Sequence, residues 1–71
     1  MEQKFVLFLA QYLAEIQKAS TARVASIEAG KAWGYIDCLQ HCGQLSMSEV
    51  DRERSLLSRV LEQRFYELGK R

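Results

Sequence analysis

From Phe5 onward, apolar and polar positions recur with the period of an α-helix, and they do so with little interruption as far as Leu39. Leu9, Leu13, Ile16, Ser20, Val24 and Ile27 follow one helical spacing; Ala22, Ala25, Ala29, Ala32, Ile36 and Leu39 follow another. The chain has no proline, and no strong breaker stands between Glu2 and Cys42. The pattern predicts one long first helix over about residues 2–42. Its weakest stretch is Ser20-Thr21, ahead of the glycines at 30 and 34. A break at 18–21 is the alternative, and it would give three helices.

The next signals mark a turn. Gly43 suits the left-handed position just past a helix end. Ser46 followed by Glu49 is a capping box, in which a hydroxyl and a carboxylate each satisfy an orphan backbone N–H. Leu45 and Val50 occupy the staple positions on either side of that cap. The turn is therefore read at 43–45 and a second helix at about 47–68. Val50, Leu57, Leu61, Phe65 and Leu68 form its apolar face, widened by Leu56 and Val60. Arg52, Arg54, Arg59 and Arg64 alternate with Asp51, Glu53, Glu62 and Glu67 on the remainder, which reads as a solvated face of mixed charge. The expected fold is all-α: a single antiparallel helical hairpin with a long first helix.

The two helices differ in length. At about 1.5 Å of rise per residue, the second spans roughly 30 Å and the first roughly 60 Å. Folding back at Gly43, the second helix reaches only the segment from about Ala22 to Cys42. Ala22, Ser26, Gly30 and Gly34 repeat there every four residues, with Ala25, Ala29 and Ala32 beside them, and these small side chains are expected to let the two backbones approach. The arm from Phe5 to Ile16, the most apolar part of the chain, is left over. Burial of one large apolar side chain is worth about 1.5–3 kcal/mol, so such an arm calls for a partner. A second copy is the simplest, which would make a homodimeric bundle joined through Phe5, Phe8, Leu9, Tyr12, Leu13 and Ile16. If the chain breaks at Ser20-Thr21, the arm folds back within one monomer instead.

Candidate chemistry is sparse. Cys38, His41 and Cys42 fall within one helical turn, but a structural zinc site needs four ligands and Asp37 lies about 100° away around the helix. No metal and no cofactor are expected, and both cysteines read as small apolar residues beside the turn. Trp33, Asp37 and His41 share a face through i,i+4 spacing, and an i,i+4 polar contact near the turn is expected of them. With no nucleophile beside the pair and no Gly-rich phosphate loop, an enzyme is not expected. Trp33 and Tyr35, aromatic and near the turn, are the expected anchors for a partner protein, with one of them packing in the core.

Charge and length narrow the classes further. Ten Lys and Arg stand against nine Asp and Glu, and the excess sits at Lys70 and Arg71, so direct nucleic-acid binding is disfavoured. The apolar run Phe5–Ala10 is too short for a transmembrane span and carries Glu2 and Lys4 ahead of it, unlike a signal peptide. Two cysteines without an export signal point to a reducing, cytoplasmic setting.

The stretch AGKAWGYIDCLQHCGQLSMSE, residues 29–49, resembles a pattern in small proteins of bacteriophages and prophages, where an alanine-rich helix ends in G-[FY]-I-x-x-L-x-x-x-G-x-[IL]-[ST] and a second helix follows. Gly34, Tyr35, Ile36, Leu39, Gly43, Leu45 and Ser46 carry the match, which covers about a third of the chain. Those with a role often bind and inhibit a host regulator or motor, including quorum-sensing anti-activators that also act on pilus assembly. The resemblance implies an inhibitor that docks on a host regulatory protein, such as a transcriptional regulator or motor ATPase. Two rival expectations are a DNA-associated regulator using the arginines of the second helix and a purely structural bundle component.

Overall fold

The computed structural model describes residues 2–69, and its regular structure is all helix, with no strand among those residues. Three helices follow one another: α1 (Gln3–Lys18), α2 (Ala22–His41) and α3 (Met47–Gly69). α2 packs against both neighbours, while α1 and α3 meet along a sparser seam. The long first helix expected over 2–42 is therefore divided, and the break falls at Ala19–Thr21.

Local chemistry and burial together explain the break. Thr21 adopts an extended backbone (φ −137°, ψ 158°) and its hydroxyl accepts the Val24 N–H at 3.1 Å, which makes it the N-cap of α2. Ser and Thr offer the backbone such alternatives to helix, which is why this pair is weak within one. The reversal lays α1 back on the other two helices. Leu9, Ile16 and Ala19 join the buried core, and Phe5, Tyr12 and Leu13 pack against it. At about 1.5–3 kcal/mol for each large side chain fully buried, this gain outweighs the few helical hydrogen bonds given up at the break. The surplus arm thus finds its cover within its own chain.

The second turn follows the sequence closely. Gly43 has φ +74°, and the Gly43 and Gln44 N–H groups donate to the carbonyls of Gln40 (3.0 Å) and Leu39 (2.8 Å), a Schellman arrangement. The Ser46 N–H donates to Glu49 Oε1 at 3.0 Å and the Glu49 N–H to Ser46 Oγ at 3.2 Å, so the capping box is formed in both directions. Leu45 and Val50, at the staple positions, are both buried. The Ser46 backbone N–H also holds the Glu49 carboxyl below the ordinary carboxylate range.

Ala25, Ala29, Ala32, Ile36 and Leu39 form the buried stripe of α2, and Val50 and Leu57 answer from α3. Of the small residues expected to be covered, Ala25, Ala29 and Ala32 are buried, whereas Ala22, Ser26, Gly30 and Gly34 are exposed, and a Cβ added to Gly30 or Gly34 would meet nothing within 4 Å. Alanine, not glycine, sets the close approach here. Val24, Ile27 and Phe65, read as parts of apolar faces, are also exposed. For Val24 and Ile27 the reason is the break, which decouples the spacing of α1 from that of α2.

Candidate protein-binding surface

With α1 folded back, Phe8 and Tyr12 come to lie against Tyr35 of α2. The Phe8 and Tyr35 ring centroids are 5.9 Å apart at 61°, an edge-to-face pair, and those of Tyr12 and Tyr35 are 5.7 Å apart at 48°. Tyr12 and Tyr35 are half-buried, whereas Phe8 remains 50% exposed. Burial raises the Tyr35 hydroxyl above the ordinary tyrosine value, with Tyr12 and Cys38 adding smaller contributions.

A shallow groove of about 420 Å³ runs from this patch between α1 and α2, lined by Phe8, Gln11, Tyr12, Glu15, Glu28 and Lys31. Its rim is held by ion pairs within each helix, Glu28–Lys31 at 3.1 Å and Glu15–Lys18 at 3.5 Å. Rigid aromatics surrounded by polar residues are the usual anatomy of a binding anchor. Leu7, on the same helix, adds a further exposed apolar side chain at 54%.

Of the residues expected at a dimer interface, Leu9 and Ile16 are core residues of the monomer and have no surface to offer. Phe5, Tyr12 and Leu13 are partly covered within the same chain, and Phe8 alone is freely exposed. The expectation of a face-to-face dimer through this arm therefore loses its physical basis. Of the two expected anchors, Tyr35 belongs to the aromatic patch. Trp33 is half-buried and packs against the core, about 160° around α2 from Tyr35 by the shorter way. Phe8 and Tyr12 are partner-binding candidates that pattern reading missed, because only the reversal at Ala19–Thr21 brings them to Tyr35.

The other sequence candidates separate. Cys38 and Cys42 are free thiols and both exposed, contrary to the expected burial. Asp37 pairs with Arg54 of α3, a contact between helices in place of the expected i,i+4 one. Among the described residues no three His, Cys, Asp or Glu side chains converge as metal ligands. None of the described helices is long and apolar enough to cross a membrane.

Arg52, Arg54 and Arg59 of α3 are exposed, as a solvated face implies, and Arg64 alone of the four departs from it. Arg64 donates from Nε (2.9 Å) and Nη2 (2.7 Å) to the Ala19 carbonyl and pairs with Glu67 at 3.3 Å, leaving its side chain 14% exposed. Arg54 is engaged by Asp37 and Arg52 lies 3.8 Å from Glu53, while Arg59 makes no ion pair among the described residues. A groove of about 580 Å³ borders Arg59 and Arg64 between α3 and Gln17, but long polar side chains form most of its lining. Lys70 and Arg71, where the basic excess was read, lie outside the described residues. Compared with protein-family models, curated sequences and solved structures, the chain finds no match in any of the three.

Proposed function

We propose that this protein is a small binding module that docks on another protein through the Phe8–Tyr12–Tyr35 patch and modulates it. The observation behind this reading is Phe8: a large aromatic, half in water, held edge-on by a tyrosine whose own position is fixed by packing. Such a ring is anchored in advance and loses little conformational freedom on binding, which is what makes aromatic anchors effective. The resemblance of residues 29–49 to phage helical proteins makes a host transcriptional regulator or motor ATPase the class of partner to test first.

The test is affinity capture from the native host with the wild-type chain and with Phe8→Ser. Because Phe8 is exposed, the variant keeps its fold, which circular dichroism verifies. A protein retained by the wild type and lost with Phe8→Ser supports the reading; the same set of proteins retained by both contradicts it.

A further inference from the structure

The break between α1 and α2 is held by two contacts that replace helical ones. In a continuous helix the Ala19 carbonyl would accept the Arg23 N–H, and the Val24 N–H would reach Ser20. Here Arg64 takes the Ala19 carbonyl and Thr21 takes the Val24 N–H. The linker is three residues, Ala19-Ser20-Thr21, with neither glycine nor proline, and each of them can enter a helix. The core contacts of α1, through Leu9, Ile16, Phe5, Tyr12 and Leu13, are side-chain packing that a second copy of the chain supplies equally well.

From this we propose an arm-exchanged dimer. In it residues 18–22 become helical, α1 and α2 merge into one helix of roughly 60 Å, and each α1 packs on the α2 and α3 of the other copy. Leu9 and Ile16 are buried as before, because the surface they meet is unchanged. At each hinge the Thr21 cap and the Arg64 fork are given up and backbone hydrogen bonds are gained. Short linkers of this kind favour exchange, and the identity of the contacts keeps its cost low. The consequence reaches the binding surface: Phe8 and Tyr12 of one copy would complete the patch with Tyr35 of the other. One dimer would then carry two composite patches.

The experiment refolds a mixture of isotope-labelled and unlabelled chains at high concentration and isolates the dimer by size-exclusion chromatography with light scattering. Isotope-filtered NOE spectra then report whether Phe8 and Tyr35 rings touch between chains. Cross-peaks between chains are expected, and cross-peaks only within chains overturn the proposal. Ser20→Ala with Thr21→Ala removes the cap and shifts the equilibrium toward dimer by roughly tenfold. Ser20→Pro, which follows an Ala19 already extended at φ −57° and ψ 130°, blocks helical continuation and abolishes the dimer. Should that variant lose its helical signal, a linker lengthened by three glycines takes its place, with the same expectation. A dimer that persists with the blocked or lengthened linker overturns the proposal, as does a monomer at every concentration for both the wild type and the uncapped variant.

Discussion

Arg64 closes the bundle by donating two hydrogen bonds to the carbonyl of Ala19, a residue 45 positions earlier in the chain. The carbonyl would otherwise be an orphan acceptor at the end of α1, partly shielded from water. Arg64→Ala leaves it without its partners and is expected to cost about 1–3 kcal/mol of stability. Arg64→Lys restores one donor but not the planar fork, so it falls between the two. Urea midpoints at unchanged slope measure both. Wild-type stability in Arg64→Ala would show that the fork is incidental.

The exposed glycines of α2 predict the opposite sign. Gly30 and Gly34 sit within a helix, and an added Cβ would touch nothing within 4 Å. Gly30→Ala and Gly34→Ala should each stabilise the chain by roughly 0.5–1 kcal/mol, through helix propensity alone. Thermal melts read this directly. Loss of stability in either variant would mean that another backbone packs closely on this face.

The turn between α2 and α3 carries a pH dependence. Ser46→Ala should cost about 1 kcal/mol by removing the cap. The Ser46 N–H holds the Glu49 carboxyl below its ordinary value, so the folded state binds that proton less tightly than the unfolded chain. Its contribution is present above the ordinary glutamate pKa and is lost as pH falls through the lowered folded value. Stability against pH, compared between wild type and Glu49→Gln, should differ at neutral pH and converge in acid.

Tyr35 predicts a signature of the aromatic patch at the other end of the pH scale. Burial raises its hydroxyl, so its contribution to stability is fully present below the ordinary value of 10.0 and is lost as pH rises through the higher folded value. Phenolate absorbance should show a late phase that Tyr35→Phe removes. Phe8→Ala uncovers Tyr35 and should bring that phase to lower pH.

Sequence legibility followed the range of the interactions. Gly43, Ser46 and Glu49 act on their own backbone within a few residues, so the second turn and α3 could be read in advance. The break at Ala19–Thr21 could be read only as an alternative, because Thr21 supplies a cap without the Glu or Gln three residues on that would have marked it. What decides it is the burial of Leu9 and Ile16 against helices far along the chain, together with Arg64. For the same reason Tyr35 was visible as a candidate, while Phe8 and Tyr12 were assigned to a different interface. Gly30 and Gly34 misled because their spacing permits close packing without requiring it.

The central claim is that Phe8 is where this protein meets its partner. Replacing Phe8 with a photoactivatable phenylalanine analogue and irradiating cells of the native host tests that contact in place. The account predicts a covalent adduct to another protein from position 8 and none from the same analogue at Glu62, an exposed residue of α3. No adduct from position 8, or equal adducts from both positions, would contradict it.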